Sequence, residues 1–191
     1  MRFPTIETER LVLSEFTPSH IDDLFDIFSN PSVTEFYDCS PFSDKSQAEQ
    51  VIQRYIQQVW QIPILDFRWA ITSKASGNKL IGTCGFHYLN KTFHSLEIGY
   101  DFHPSHWSRG YATEAVSAMI RYCLDHEFPF EINRITATTY LNASKSINVL
   151  KKLGFTEEGI LRQYGYWKNA FHDVRLFSLL KQEVPNMVHR N

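Results

Sequence analysis

The stretch His103-Pro104-Ser105-His106-Trp107-Ser108-Arg109-Gly110-Tyr111-Ala112-Thr113 stands between a segment of alternating apolar residues and a segment of helical period. A helix start presents unpaired backbone N–H groups and the positive end of the peptide dipole, and both suit a phosphate anion. Gly110 and the small Ala112 would let a ligand approach the backbone closely, and Arg109 adds a cation beside it. On spacing alone, an ordinary strand-to-helix turn with Gly110 relieving strain and Arg109 solvated fits equally well. Upstream, Glu97 sits among Leu96, Ile98 and Tyr100, an unusual place for an acid unless it is paired, solvated at an edge, or working as a base. His103 and His106 have the look of a metal pair, but no third ligand has convincing spacing and Pro104 breaks their alignment, so no metal is expected. Cys84, within Gly-Thr-Cys-Gly-Phe, reads as a small buried thiol with no His or Asp in readable partnership.

These residues need a scaffold, and the hydrophobic period supplies its outline. Alternation predicts a strand over 9–16, after which Thr17 and Pro18 open a helix carrying Ile21, Leu24, Phe25 and Phe28 on one face. A second helix is expected over 43–60, with Ala48, Val51, Ile52, Tyr55, Ile56 and Val59 as its stripe. Three strands follow, over 67–71, 79–86 and 96–102, separated by Gly77-Asn78 and Asn90-Lys91-Thr92 in the manner of an antiparallel meander. Residues 109–126 return to helix through Ala112, Ala115, Val116, Met119, Ile120 and Cys123. A Thr- and Ile-rich strand over 132–140, a helix over 144–153 stopped by Gly154, and strands over 155–158 and 171–180 complete an α+β chain with one mixed sheet.

At 191 residues and 43% hydrophobic content the chain suits one substantial core. The 19 basic and 21 acidic residues leave a net charge of −2, so bulk electrostatics draws it neither to nucleic acid nor to anionic lipid. No run approaches the roughly 20 apolar residues that span a bilayer, and Met1-Arg2-Phe3-Pro4-Thr5 opens no secretory signal. Cys39, Cys84 and Cys123 are odd in number, far apart and without Cys-x-x-Cys spacing, which fits a reduced, cytoplasmic setting.

Trp107-Ser108-Arg109-Gly110-Tyr111-Ala112-Thr113-Glu114-Ala115 resembles the Trp-Gly-Lys-Gly-Tyr-Ala-Thr-Glu-Ala run of the ribosomal-protein N-terminal acetyltransferases, a branch of the GNAT superfamily. The general signature of that superfamily is Arg/Gln-x-x-Gly-x-Gly/Ala, and Trp107 departs from its first position. Collinear matches continue through Thr8-Glu9-Arg10-Leu11-Val12-Leu13, Glu97-Ile98-Gly99-Tyr100, Lys152-Leu153-Gly154-Phe155, Glu158-Gly159 and Leu161-Arg162. The resemblance implies a single GNAT-like domain over 1–184, with a mixed central sheet of about six to seven strands, helices on both faces, and a loose tail over 185–191. It implies acetyl-CoA as cosubstrate and no metal. Trp107, Ser108, Arg109, Gly110, Tyr111, Ala112 and Thr113 would take the pyrophosphate, and the main chain at Tyr100 and Phe102 would pair with pantetheine.

Acetyl transfer to an amine requires a neutral nucleophile, donors for the oxyanion and a proton for the departing thiolate. Glu97, three residues before Tyr100 on the same strand, is placed to face the amine through one water and act as base, unless a salt bridge or an exposed edge position accounts for it. The Tyr that many superfamily members use as thiol acid, four residues before the Gly of Leu-Gly-Phe, is Leu150 here. The branch's Ser is Ser146, which either relays a proton to the thiolate or bonds to local backbone. The branch's Asn is replaced by Ala143, and Asn142, one residue earlier, either contacts the cofactor or caps the helix in competition with Ser144. Tyr164, Tyr166, Trp167 and His172-Asp173 would help to form the acceptor pocket, although aromatic residues near strands often serve only packing. The implied activity is transfer of acetyl to a primary amine, such as a protein N-terminal α-amine, by direct attack in a ternary complex. Polyamines, aminoglycosides and other small amines are alternative acceptors, a non-catalytic CoA-binding sensor is the alternative role, and a homodimer is left open.

Overall fold

The computed structural model describes residues 4–58, 66–77, 79–125 and 128–187. The alternating N-terminal segment forms β1 (Ile6–Glu7) and β2 (Leu11–Ser14), with Leu11 and Leu13 turned fully into the core. Thr17 and Pro18 do start a helical segment, first as a 3-10 turn over Pro18–His20 and then as α1 (Ile21–Phe28). The sequence reading passes over α2 (Pro31–Thr34), a single turn set up by Asn30, whose side chain accepts from the Ser32 amide, and by Pro31 at the first helical position. The next helix is α3 (Lys45–Gln58), and Val59 and Trp60 of the expected stretch lie outside the described residues.

The meander is present as β3 (Phe67–Ser73), β4 (Leu80–Asn90) and β5 (Ser95–Phe102), each antiparallel to the next. Asn78 of the expected first turn lies outside the described residues. Helix α4 (Tyr111–Leu124) crosses over to β6 (Arg134–Tyr140), which lies parallel to β5, and the expected helix end at His126 also falls outside the described residues. Helix α5 (Ser144–Lys152) stops before Gly154, at φ +84°, as its C-terminal sequence requires. The last two strands, β7 (Thr156–Trp167) and β8 (Ala170–Leu180), form a hairpin through Lys168 and Asn169, both with positive φ as a two-residue turn demands. A 3-10 segment, Lys181–Met187, follows, and 188–191 of the expected tail lie outside the described residues.

The result is a single α+β domain with one mixed sheet in the order β1-β2-β3-β4-β5-β6-β8-β7. Eight strands replace the six to seven expected, because the two-residue β1 is too short to leave a periodic signal. One sheet face packs Trp69, Cys84, Ile98 and Ile135 against Val116, Met119 and Ile120 of α4 and Leu150 of α5. The opposite face carries a smaller cluster in which Leu24 and Ile27 of α1 and Ala48 and Ile52 of α3 meet Ala70 and Leu80.

The sheet is not continuous along its length. Strands β5 and β6 pair only at Ser95↔Arg134, Leu96↔Ile135 and Glu97↔Thr136. Beyond that point β5 stays with β4 as far as Gly82↔Phe102, and β6 stays with β8 as far as Tyr140↔Val174. The two halves of the sheet therefore part, leaving a gap between Ile98–Phe102 and Ala137–Tyr140. Next to this gap β4 is packed without spare room: a Cβ on Gly85 would lie 2.1 Å from the Phe67 carbonyl oxygen and 2.8 Å from Arg68 Cα. Gly85→Ala is expected to destabilise the fold by about 1–3 kcal/mol, as overpacking of a rigid site does, measured as a lowered urea midpoint.

Candidate active site

At the end of β5 the chain makes a 3-10 turn over Pro104–His106 and then reverses through Trp107–Gly110 into α4. Ser108 and Gly110 have φ of +59° and +81° on either side of Arg109, and all three are exposed. Alternating backbone hand gathers successive N–H groups on one concave side, which together with the start of α4 forms a site for an anion. Gly110 is needed for its backbone conformation. Its φ is left-handed, and a Cβ there would stand 3.2 Å from Arg10 Nη2.

Arg10 joins the Thr8–Leu13 segment to the Trp107–Ala115 run. Its Nε and its backbone N–H donate to Glu114 at 2.6 and 2.9 Å, Thr8 Oγ1 donates to the same carboxylate at 2.6 Å, and Arg10 Nη1 donates to the Arg109 carbonyl at 3.0 Å. The guanidinium also covers the Tyr111 ring at 4.7 Å. Burial pushes the Glu114 carboxyl up, but the bonds from Thr8 and Arg10 outweigh it and hold the group below the ordinary carboxylate range. The turn between β1 and β2 thus clamps the Trp107–Gly110 turn. Thr113 lies in the first turn of α4, as expected.

Along the gap, the Thr136 hydroxyl donates to the Leu96 carbonyl, whereas the His103 amide donates away from the gap to Ile81. The period of two then turns the main-chain groups of Ile98, Tyr100 and Phe102 toward β6. The Tyr100 carbonyl accepts from the Tyr37 hydroxyl at 3.2 Å and the Phe102 carbonyl from the Trp107 indole at 2.7 Å. The amide groups of Tyr100 and Phe102 remain directed into the gap, where a linear chain of amides such as pantetheine would pair with them. Asn142 lies in the exposed turn after β6. The cap of α5 is Ala143, without a side-chain bond, so neither Asn142 nor Ser144 caps the helix.

Glu97 stands where the two strands separate. Thr138 Oγ1 donates to its Oε1 at 2.7 Å, and His87 Nε2 is 3.6 Å from the same oxygen. Burial raises the carboxyl, but the bonds from His87 and Thr138 and the charge of His87 hold it below the ordinary carboxylate range, so Glu97 is ionised at neutral pH. Burial, Glu97 and Tyr88 together raise the hydroxyl of Tyr164, which places that ring near the carboxylate. Next to Glu97 on the same sheet face, Gly99 lies under Arg68 Nη1 and the His87 ring, each 3.5 Å from where its Cβ would be. Asp101 follows, with Oδ2 accepting from Arg68, from Thr83 at 2.7 Å and from Tyr37 at 3.1 Å, while buried Oδ1 has no partner among the described residues.

Ser146 and Tyr100 meet on the other side of β5. The Tyr100 hydroxyl lies 2.8 Å from Ser146 Oγ and donates to the Ser146 carbonyl at 3.2 Å. Burial pushes the Tyr100 hydroxyl up to about 12 despite the Ser146 bond, so it is protonated at neutral pH. The reading of Tyr100 as a main-chain ligand misses this side chain. It also misses Tyr37, Arg68, His87 and Thr138, since none of these shares a local motif with Glu97 and only the sheet register unites them. Leu150 is fully buried in the core, and Cys84 is fully buried with its thiol pushed by desolvation up to about 12. Among the described residues, no cluster of three His, Cys, Asp or Glu side chains could hold a metal, and no helix is long and apolar enough to cross a membrane.

The profile of the acetyltransferase (GNAT) domain matches residues 10–156. The uncharacterised N-acetyltransferase p20 of Bacillus licheniformis is 37% identical over 179 residues, covering 94% of this chain and 97% of the relative. The uncharacterised N-acetyltransferase YoaA of Bacillus subtilis is 34% identical over 179 residues, covering 94% and 98%. The fold matches that of RimL, the ribosomal L7/L12 alpha-N-protein acetyltransferase solved with coenzyme A, at a TM-score of 0.79 and 19% identity, covering 93% and 98% of the two chains.

The clamp on the turn has a measurable signature. Glu114→Gln should lower unfolding stability at pH 7 by about 1–3 kcal/mol, the usual worth of bonds to a charged group. Because the folded-state carboxyl is depressed, this contribution is present above the ordinary glutamate value and fades as pH falls through the depressed one. Urea titrations of both proteins at neutral and acidic pH should therefore converge in acid, and a constant difference would contradict the assignment.

Proposed function

The chain belongs to the GNAT acetyltransferase family and is an acetyl-CoA-dependent N-acetyltransferase, and from this premise we propose that it acetylates the α-amine of a protein or peptide N-terminus by direct attack in one ternary complex. The observation that carries the chemistry is Glu97, ionised and oriented by His87 and Thr138 at the point where the sheet opens. The acceptor assignment is supported by the aromatic rings of Tyr88 and Tyr164, 70% and 46% exposed, the second of which feels the charge of Glu97. The likeness in fold to RimL supports the same acceptor.

Acetyl-CoA supplies the acetyl thioester. In this reading Trp107, Ser108, Arg109, Gly110, Tyr111, Ala112 and Thr113 hold its pyrophosphate, Asn142 lies near the cofactor edge, and the amides of Tyr100 and Phe102 hold pantetheine. Glu97 takes a proton from the incoming ammonium through one water, which frees the nitrogen lone pair. A main-chain N–H of the unpaired stretch of β5 stabilises the oxyanion. The Ser146 hydroxyl, backed by the protonated Tyr100 hydroxyl at 2.8 Å, gives its proton to the thiolate. Counted from the ammonium, the nitrogen gains the acetyl group and loses two protons, one through water to Glu97 and one on collapse of the tetrahedral intermediate, which returns through solvent to Ser146. The sulfur loses the acetyl group and gains the Ser146 proton. Cys84 is unsuited to carry the acetyl group, being buried, protonated and on the face of the sheet that packs α4. One domain over 1–184, working in the cytoplasm with its three cysteines free, completes the proposal.

Coenzyme A release measured across free N-terminal peptides, polyamines and aminoglycosides tests the acceptor. Turnover on peptides supports the reading, turnover confined to small amines overturns the acceptor, and binding without turnover on any amine indicates a sensor. Glu97→Gln should lower kcat about 100-fold or more, in the range of a lost general base, with affinity for coenzyme A nearly intact. His87→Ala removes groups that depress Glu97, so the carboxyl pKa rises and the acidic limb of kcat/KM should move to higher pH. A limb that stays in place would remove His87 from this role.

A further inference from the structure

Trp107 occupies the position where the family signature places Arg or Gln, which leaves that corner of the turn without its own side-chain donor to an anion. A cation nevertheless stands there, contributed from another element. Lys145, on the first turn of α5, has its Nζ 3.8 Å from the centroid of the Trp107 ring. The ring cannot swing freely, because its indole N–H is bonded to the Phe102 carbonyl at 2.7 Å.

The placement of Lys145 is electrostatically unfavourable for the isolated fold. A cation in the first turn of a helix faces the positive end of the peptide dipole, and α5 has no side-chain cap to offset it. Lys145 is exposed and forms no ion pair among the described residues, while Arg109 adds a second exposed cation on the same turn. The contact between Lys145 and Trp107 therefore joins the uncapped start of α5 to the turn that carries Arg109 and the exposed nest of backbone N–H groups. We propose that Lys145 is a phosphate ligand of the cofactor, held in position by the face of Trp107 and replacing the cation that the turn itself has lost. The proposal rests on the reading of Trp107–Thr113 as the pyrophosphate turn.

Calorimetric titration of the full chain with coenzyme A, dephospho-coenzyme A and pantetheine tests it without any turnover. Lys145→Met should weaken coenzyme A about tenfold or more, as loss of a charged hydrogen bond does, and should leave pantetheine, which has no phosphate, within about twofold. Lys145→Arg should restore most of the affinity. Equal weakening of coenzyme A and dephospho-coenzyme A assigns the contact to the pyrophosphate, and weakening of coenzyme A alone assigns it to the 3′-phosphate; either supports the proposal. Unchanged coenzyme A affinity, or an equal loss for pantetheine, would overturn it, the latter because Lys145 would then act only by positioning α5. Gly110→Val separates the two levels: if it leaves coenzyme A binding intact, the reading of the turn itself fails.

Discussion

The parallel ladder between β5 and β6 stops after Glu97↔Thr136, and most of the site follows from that interruption. A strand in the middle of a sheet ordinarily spends every N–H and C=O on its neighbours, and leaving them unpaired away from water is costly. Here the chain covers the acceptor half of the deficit itself, with Tyr37 on the Tyr100 carbonyl and Trp107 on the Phe102 carbonyl. The donor half faces the gap. Because every second residue of β5 turns the other way, the same strand presents main-chain donors between the two halves of the sheet and the Glu97 carboxylate on one of its faces. A stretch of main chain facing the gap and an ionised carboxylate beside it are thus two consequences of one register.

Distant segments hold this opening in shape. Thr8 and Arg10 grip Glu114 and the Arg109 carbonyl, which fixes the turn at one end of the gap. On the other side, the Tyr140 hydroxyl donates to the Tyr37 carbonyl at 3.3 Å, and Lys168 Nζ donates to the Thr34 carbonyl at 2.6 Å, so the segment after α2 lies across the parted strands. Burial and the adjacent Asp101 raise the Tyr37 hydroxyl well above its ordinary value, which keeps it a donor to Asp101 and to the Tyr100 carbonyl. Trp107 joins three of these tasks, since it ends β5, packs against both apolar clusters and supports Lys145.

The features legible in the sequence are those governed by local rules. Helical period located α1, α3 and α4, the stop at Gly154 located α5, and alternation with turn residues located the meander, because each depends on neighbours within about ten positions. The turn over 107–110 was readable because backbone hand, helix start and cation lie within a few residues of one another. Asn30-Pro31 did signal α2, but a single turn carries no hydrophobic stripe to draw notice. What could not be read is long-range pairing. Thr8-Glu9-Arg10 and Glu114 each stand out, yet nothing local says that they touch. The same holds for Tyr100 with Ser146 and for His87 with Glu97, where the partners are set by sheet register and by the crossing of α5.

The central claim is that the gap between β5 and β6 receives the cofactor through the main chain of β5. Residue-resolved amide hydrogen exchange with and without coenzyme A tests it most directly. The account predicts that the Tyr100 and Phe102 amides exchange readily in the free protein and become protected when coenzyme A binds, together with the amides of Gly110 to Ala112. Binding of coenzyme A with no change at Tyr100 and Phe102 would contradict it.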